Sequence, residues 1–336
     1  MGKIKTGRFR PAWWLRGPHA QTLWASSLRR TPRPRLQRER LGLPDGDFLD
    51  LDWAVGGDGP VVLILHGLEG SVNSNYASGL LRVLQDAGYT ALVMHFRGCS
   101  GEPNRLPRGY HSGETSDLMH LVGVMRKRYP GRALAVVGYS LGGNVLLKWL
   151  GEMGDRAPVN AAVAVSVPFQ LGRVADRLGR GFSRFYQWVL LRRMRINLKR
   201  KMANVPLPIG PLQVEALTSF RRFDDAVTAP LHGFAGVEDY YRRSSSRQFL
   251  KTISVPTLIL HALDDPFMTP DVVPLRDELG AGVELEVSDY GGHVGFVSGN
   301  SPWRAIYWLE ECIPRYLDDT LRAARPDRSL AQESVA

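Results

Sequence analysis

A short glycine-rich turn between an apolar segment and a helix-forming segment limits most strongly what this chain can fold into. The turn reads Gly-Tyr-Ser-Leu-Gly-Gly over residues 138–143. Residues 133–137 before it (ALAVV) suit a buried strand, and residues 144–150 after it (NVLLKWL) suit a helix. Between a strand and a helix, Gly-x-Ser-x-Gly predicts a strained turn that exposes a nucleophilic Ser140. A purely structural turn is the alternative.

The sequence downstream of Ser140 offers an acid and a base. A serine hydroxyl needs a base to take up its proton and a carboxylate to orient that base. In folds with this turn, the acid and then the histidine follow the serine along the chain. Asp264 and Asp265 follow a strand predicted over residues 255–262, and His293 lies in a glycine-rich loop after the next predicted strand. We therefore predict that His293 is the general base.

A third requirement is a set of donors for the negative charge that develops on the substrate oxygen. Residues 61–65 (VVLIL) predict a central parallel strand that ends in a His-Gly turn. The backbone N–H groups of Leu68 in that turn and of Leu141 after the serine are the predicted oxyanion hole. The side chain of His66 is expected to brace the loop rather than to transfer protons.

Six stretches carry a resemblance to a known family. They are residues 18–22 (PHAQT), 66–71 (HGLEGS), 95–101 (HFRGCSG), 138–144 (GYSLGGN), 264–267 (DDPF) and 291–296 (GGHVGF). The chain resembles the YheT-like branch of the α/β-hydrolases, predicted serine hydrolases that have eukaryotic membrane-associated relatives. The resemblance implies an α/β-hydrolase fold, with a mostly parallel central sheet flanked by helices. It also implies hydrolysis of carboxylic esters without a cofactor, and no particular physiological substrate.

Only one of the two adjacent aspartates can point at His293, because residues that leave a strand alternate in direction. In related hydrolases the acid commonly lies three positions after a small residue that closes the strand. Ala262 is that small residue here, and Asp265 follows three positions later. Pro266 disfavours a helical backbone at Asp265 and so suits a carboxylate in a tight loop. We predict Asp265 as the orienting acid and expect Asp264 to bond loop N–H groups.

The pattern of segments predicts one large domain with an insertion, in a chain of 336 residues. Residues 45–168 and 251–320 are predicted to form the α/β core, because apolar strand segments alternate with helical segments there. Residues 169–250 contain no clear buried strand and are predicted to form a helical lid. Residues 1–44 are predicted to be an arm that packs on the core, and residues 321–336 a disordered polar tail.

Within the predicted lid, Leu178, Phe182, Phe185 and Val189 recur at helical spacing. We expect this apolar face to be buried above Ser140 and to shape the acyl pocket. A basic cluster follows it, formed by Arg192, Arg193, Arg195, Lys199, Arg200 and Lys201. A solvated charged face is the favoured reading of this cluster, and contact with an anionic membrane surface is the alternative.

Composition narrows the classes of partner and compartment. The net charge is +10, but no recognition helix or stacking platform for nucleic acid is evident, so no nucleic-acid partner is expected. Cys99 and Cys312 are the only cysteines, too few for a disulfide framework. The sequence has no metal-binding motif, no long apolar span and no secretory signal. We expect a cytoplasmic enzyme with no metal and no cofactor, acting on a small-molecule acyl ester.

Taken together, these residues predict a serine esterase for short to medium acyl chains, with Ser140 as nucleophile, His293 as base and Asp265 as orienting acid. Acyl transfer to an alcohol and lipase action at a lipid surface would use the same three residues, and both stay open. The alternative of another class is a non-catalytic binding protein on the same fold.

Overall fold

The computed structural model describes residues 1–29, 32 and 34–323. Its strands are β1 (Lys3–Thr6), β2 (Gln37–Gly42), β3 (Phe48–Val55), β4 (Val61–Leu65), β5 (Thr90–Met94), β6 (Leu134–Tyr139), β7 (Ala161–Val165), β8 (Thr257–Ala262), β9 (Val283–Ser288), β10 (Val297–Ser298) and β11 (Ile306–Tyr307). Its α-helices are α1 (Pro18–Leu23), α2 (Asn75–Asp86), α3 (Ser116–Arg128), α4 (Leu141–Met153), α5 (Leu171–Leu178), α6 (Ser183–Met202), α7 (Pro211–Glu215), α8 (Phe220–Phe223), α9 (Ala229–Leu231), α10 (Val237–Ser244) and α11 (Leu309–Ala323).

Nine of the strands form one sheet in the order β1-β9-β8-β7-β6-β4-β5-β3-β2. From β1 to β5 in this order every neighbouring pair is parallel. At the other edge, β3 is antiparallel to β5, and β2 is antiparallel to β3. The central strands are apolar and fully buried because helices cover both faces. Leu63 of β4 packs in the layer that contains α3 and α4, and Ile64 packs in the layer that contains α2 and α11. The expected α/β-hydrolase fold is confirmed.

The parallel strands carry the predicted site residues to one edge of the sheet. The carboxyl ends of parallel strands meet at the same edge, where ligands of such sheets bind. Leu68 follows β4, Ser140 follows β6, Asp265 follows β8 and His293 follows β9. Their separation along the chain is therefore compatible with one site.

The N-terminal segment, expected to be an arm lying on the core, also contributes both edge strands of the sheet. β1 pairs with β9, and β2 pairs with β3. Charged side chains hold these edges: Lys5 contacts Glu284 at 2.7 Å and Arg40 contacts Asp50 at 2.7 Å. Charged edge strands lack the apolar run from which a buried strand is predicted. The expectation of an arm therefore missed these two strands.

Between β7 and β8, where every residue is described, the chain forms the helices α5 to α10 and no strand. We call residues 169–250 the helical insertion. The buried Asn144 of α4 connects it to the core. Asn144 Nδ2 donates to the carbonyl oxygens of Ser112 and Ser244, and Asn144 Oδ1 accepts from Ser246 N–H. The helix that follows Ser140 thus also fixes where the insertion returns to the sheet.

The single buried face predicted from Leu178, Phe182, Phe185 and Val189 is wrong, although Leu178 by itself is buried. α5 ends at Leu178, and a turn with Gly181 at φ 52° separates it from α6, so the four residues do not share one helix. Phe182 and Phe185 are 53% and 44% exposed. The buried side chains of α6 are those of Ser183, Tyr186, Gln187, Leu191 and Leu198. The glycine turn breaks the helical period on which the prediction relied.

The C-terminal helix α11 continues to Ala323. Residues 321–323, expected to begin a disordered tail, therefore complete a helix whose apolar side packs on the sheet. The rest of the predicted tail, residues 324–336, lies outside the described residues. In the described part of the chain, no helix combines the length and the apolar character needed to cross a membrane.

Candidate active site

Ser140 lies at the sharp turn between β6 and α4. Its backbone has φ 51° and ψ −117°, a conformation that costs a non-glycine residue about 1–3 kcal/mol. A Cβ at Gly138 would lie 2.5 Å from the carbonyl oxygen of Gly142, and a Cβ at Gly142 would lie 2.5 Å from that of Leu65. Both positions therefore exclude a side chain, which explains the glycines on either side of Ser140.

Ser140, His293 and Asp265 form a continuous hydrogen-bonded chain. Ser140 Oγ lies 2.9 Å from His293 Nε2, and His293 Nδ1 lies 2.8 Å from Asp265 Oδ2. Because an ionised carboxylate can only accept, this geometry suits a proton on Nδ1 and leaves Nε2 to accept from the serine hydroxyl. Asp265 is buried and also accepts a hydrogen bond from Phe267 N–H at 2.8 Å, so its orientation is fixed.

Asp264 turns to the backbone rather than to the imidazole. Its Oδ1 accepts from Gly292 N–H at 2.8 Å, and its buried Oδ2 has no hydrogen-bond partner among the described residues. Burial, with a smaller contribution from the charge of Asp265, raises the pKa of the Asp264 carboxyl to about 6. The structure thus brings Asp265 to His293 and Asp264 to the loop that carries His293.

The loop that carries His293 is held by the N-terminal segment. Thr22 Oγ1 accepts from His293 N–H at 2.9 Å and donates to the Pro18 carbonyl oxygen at 2.7 Å. The buried Gln21 accepts from Val297 N–H at 2.7 Å and donates to the Val297 carbonyl oxygen at 2.9 Å. The sequence marks this segment only through the family resemblance. Its contact with the loop of His293 joins residues far apart in the chain, so no local sequence pattern predicts it.

The loop after β4 passes beside Ser140, and a Cβ at Gly67 would lie 3.4 Å from Ser140 Cβ. His66 holds this loop. Its Nδ1 lies 2.7 Å from the Gly67 carbonyl oxygen, and its Nε2 accepts from Phe96 N–H at 3.1 Å. Complete burial lowers the pKa of His66 to about 3, so the imidazole is neutral, donates from Nδ1 and braces the loop.

The predicted oxyanion donors are the backbone N–H groups left unused in this region. Gly67 N–H donates to the Tyr76 hydroxyl at 2.8 Å, and Glu69 N–H donates to the Tyr110 hydroxyl at 3.0 Å. Between them, Leu68 N–H has no hydrogen-bond partner in the described part of the chain, and neither has Leu141 N–H at the start of α4. Both remain available to a ligand oxygen.

Glu69 connects this loop to the helical insertion, a role that the sequence did not suggest. Its backbone has φ 54°. Its Oε1 accepts from the Tyr110 hydroxyl at 2.9 Å, and its Oε2 accepts from Asn197 Nδ2 of α6. Burial raises the pKa of the Glu69 carboxyl. The position of Glu69, the residue after Leu68, therefore depends on where α6 lies.

Aromatic rings cover one side of the imidazole. The ring of Phe267 is stacked on His293, with centroids 3.9 Å apart and an interplanar angle of 7°. Tyr186 of α6 packs on Phe267 with centroids 4.9 Å apart. The two rings restrict the orientation of His293 and exclude water from that face of it.

Ser140 and His293 lie in the wall of a cavity of about 330 Å³ between the core and the helical insertion. Its apolar lining comes from α5, α6 and α8, through Leu171, Val174, Leu178, Leu190, Met194, Phe220 and Phe223. Polar residues also line the cavity, namely Arg97, Asn104, His111, Lys201 and His232. Burial lowers the pKa of Lys201 to about 8. The site thus combines a hydrogen-bonded serine, free backbone donors and an apolar cavity.

The described residues hold no cluster of three or more His, Cys, Asp or Glu side chains that could bind a metal ion. Cys99 and Cys312 are free thiols. Burial raises the pKa of both, to about 12 for Cys312, so they are protonated near neutral pH and are poor nucleophiles.

Comparison with known proteins agrees with the fold. Residues 60–299 match the family model described as the alpha/beta hydrolase fold. The chain is 45% identical over 311 residues to the putative esterase YheT of Escherichia coli strain K12, and the alignment covers 91% of each protein. The chain therefore belongs to the α/β-hydrolase family, in its YheT-like branch, as the resemblance in sequence implied.

More distant relatives extend this picture. The chain is 29% identical to the phospholipase ABHD3 of Mus musculus, over 90% of this chain and 77% of that protein. It is 30% identical to the monoacylglycerol lipase of Saccharomyces cerevisiae, over 84% of this chain and 65% of that protein. The Pyrococcus furiosus esterase Pf2001 shares the fold, with a TM-score of 0.55, 15% identity, and coverage of 95% of this chain and 99% of that one. The names of the two sequence relatives agree with the expected class of carboxylic ester hydrolases, whereas the likeness to Pf2001 bears on the fold alone.

Proposed function

We propose that the protein is a serine hydrolase that cleaves carboxylic esters through an acyl-enzyme. The observation that carries this proposal is the hydrogen-bonded chain from Ser140 through His293 to Asp265, at the wall of a largely apolar cavity. A serine, a histidine and a carboxylate in this arrangement are recognised by geometry rather than by sequence position. The names of the relatives, putative esterase and monoacylglycerol lipase, support esters as the substrate class.

The proposed reaction begins when Ser140 Oγ attacks the ester carbonyl carbon and His293 Nε2 takes the hydroxyl proton. Asp265 holds the imidazole and stabilises its positive charge. The negative charge on the carbonyl oxygen is stabilised by the N–H groups of Leu68 and Leu141. The tetrahedral intermediate then expels the alcohol, which receives the proton from His293. Water attacks the acyl-enzyme by the same route and releases the carboxylic acid.

The acyl group is proposed to be short to medium in length and to enter the apolar part of the cavity. Each CH₂ that is buried contributes about 0.8 kcal/mol, or about fourfold in kcat/KM, until the chain reaches the end of the cavity. We therefore expect kcat/KM to rise from acetate to a medium-length ester and then to fall. A panel of p-nitrophenyl esters of increasing chain length measures this profile.

Met194 and Leu190 of α6 line the cavity, so they are the positions at which the profile can be shifted. Met194→Trp is expected to move the optimum to shorter chains, because the larger side chain fills acyl space. Phe185→Ala is the matched control on the same helix, since Phe185 is 44% exposed and lies outside the cavity lining. A shift in the control, or none in Met194→Trp, would place the acyl chain elsewhere.

Acyl transfer is the second candidate, because one relative is a medium-chain fatty acid ethyl ester synthase/esterase of Saccharomyces cerevisiae, 29% identical over 80% of this chain. Transfer would use the same acyl-enzyme and replace water with an alcohol. Adding ethanol to the ester assay separates the two outcomes, since transfer yields an ethyl ester and hydrolysis yields the free acid. Lipase action at a lipid surface is a further form of the same chemistry. A non-catalytic binding protein would form neither product.

Thr22 offers a test of how the histidine loop is positioned. Thr22→Val removes the acceptor of His293 N–H, and a buried unsatisfied donor costs about 1–3 kcal/mol. We expect kcat/KM to fall about tenfold, with a modest loss of stability. Thr22→Ser keeps the hydroxyl and is expected to retain near-normal activity. A larger loss in Thr22→Ser than in Thr22→Val would mean that the methyl group, and not the hydrogen bond, is what matters.

We propose that this activity is cytoplasmic. The two cysteines support this proposal, because both Cys99 and Cys312 are free thiols, which suits a reducing compartment. Fractionation of cells that express the protein at its natural level would test it, and recovery from an extracellular or periplasmic fraction would contradict it.

A further inference from the structure

Three large aromatic side chains stand exposed at the start of α6. Phe182, Phe185 and Trp188 are 53%, 44% and 54% exposed. They recur every three residues, and the ring of Phe185 lies 5.7 Å from that of Phe182 and 6.3 Å from that of Trp188. We call these three residues the aromatic face. Single exposed apolar side chains are common on protein surfaces, whereas several in contact with each other often mark an interaction site.

The aromatic face is connected to the candidate active site through ring contacts. His293 stacks on Phe267, Phe267 packs on Tyr186, and Tyr186 contacts both Phe182 and Phe185, at 5.8 and 5.9 Å between centroids. Whatever covers the aromatic face therefore lies three ring contacts from the imidazole. A surface that supplies ester substrate would be well placed there.

The surroundings of the aromatic face are strongly basic. Residues 171–202 contain ten arginines and lysines and one acidic residue, Asp176, which pairs with Arg221. Arg180, Arg184, Arg192 and Arg193 are exposed and form no ion pair with any described carboxylate. Arg192 lies 5.9 Å from the ring of Trp188. Exposed aromatic and cationic side chains thus lie close together along the same stretch of chain.

We propose that the aromatic face and its arginines dock on an anionic lipid surface and so bring lipid esters to Ser140. Aromatic rings insert at the boundary between headgroups and acyl chains, and guanidinium groups pair with lipid phosphates. A second copy of this chain suits the face less well, because a symmetric contact would set the same arginines against each other. Only the delivery of substrate rests on the proposed esterase function, since docking itself needs no reaction.

The first test measures docking without turnover, by sedimentation of full-length Ser140→Ala with vesicles. We expect binding to phosphatidylglycerol vesicles to be at least about tenfold tighter than to phosphatidylcholine vesicles, and to weaken as salt rises. Phe185→Ser with Trp188→Ser should weaken it about tenfold or more, and so should Arg184→Gln with Arg192→Gln. Met119→Ser, which removes a 52% exposed apolar side chain on α3, is the matched control and should bind as before.

The second test separates docking from catalysis in the active protein. Phe185→Ser with Trp188→Ser should keep kcat/KM for a water-soluble ester within about twofold, because neither residue lines the cavity. The same variant should lose most of its rate on an ester presented in anionic vesicles. Vesicle binding without any esterase activity would contradict the proposed function and leave docking intact.

Three results would overturn the docking proposal. The first is equal binding to the two kinds of vesicle. The second is vesicle binding that the aromatic substitutions do not change. The third is a dimer, or a complex with single-stranded RNA, that these substitutions abolish while no vesicle binding is found. That last result would assign the aromatic face to a second copy or to nucleic acid.

Discussion

Replacing Ser140 with alanine is expected to lower kcat/KM for carboxylic esters by at least about a thousandfold. The variant has no oxygen to attack the carbonyl carbon, so only the oxyanion donors and substrate binding remain. The fold should persist, because alanine adds no atoms at the turn and meets the same φ of 51° as the serine it replaces. Rates on a p-nitrophenyl ester and a thermal unfolding curve measure the two expectations.

His293→Ala serves as the companion variant. Without the base, the serine stays protonated, so the loss should be of similar size to that in Ser140→Ala. Residues that act as one unit are strongly non-additive, so the double variant should be scarcely less active than either single variant. Near-normal esterase activity in Ser140→Ala would end the proposed mechanism.

Asp265→Asn is expected to lower turnover by about three to four orders of magnitude while the fold is retained. In the wild type the carboxylate lies 2.8 Å from His293 Nδ1 and accepts a hydrogen bond from its N–H. An asparagine amide can present an N–H to Nδ1 instead, which favours the tautomer with its proton on Nε2. In that tautomer, Nε2 cannot take the proton of Ser140. Steady-state rates measured with stability at the same pH check this expectation.

Asp264→Asn is the matched control, since the same chemical change is made one residue away. The amide oxygen can still accept from Gly292 N–H, so activity should stay within about tenfold of the wild type. If Asp264→Asn instead caused the larger loss, Asp264 would be the orienting acid and the assignment of Asp265 would be wrong.

The stability of Asp264→Asn should also depend differently on pH. The pKa of the Asp264 carboxyl is raised from 3.8 to about 6 in the folded protein, so the folded state holds its proton more tightly than the unfolded state does. The wild type should therefore lose unfolding free energy, relative to Asp264→Asn, as pH rises from about 4 to about 6. Urea unfolding of both proteins across this range measures the difference.

The sequence is enough to predict those site residues that directly follow the ends of apolar strands. Strands such as β4 and β6 are continuous apolar runs because both faces of the sheet are buried, and the parallel order brings their ends to one edge. Ser140 was marked by glycines that sterics require, and Asp265 by its distance from the end of β8. Order along the chain was therefore enough to select His293.

Other parts depend on contacts that have no local pattern. The edge strands β1 and β2 carry many charged side chains and pair with the sheet through their backbones. Their sequences therefore lack the alternation or run of apolar residues that predicts a strand. The turn at Gly181 separates Leu178 from α6 and moves Phe182 and Phe185 to the surface. Thr22 and Glu69 act through hydrogen bonds to residues more than a hundred positions away in the chain. Only the folded structure brings such partners together.

The central claim is that Ser140 is an activated nucleophile, and labelling with a fluorophosphonate tests it most directly. We expect the folded wild-type protein to gain one adduct, which peptide mapping places on Ser140. Asp265→Asn should react far more slowly, and Ser140→Ala should not react at all. A folded wild-type protein that gains no adduct, or an adduct that persists in Ser140→Ala, would contradict the account.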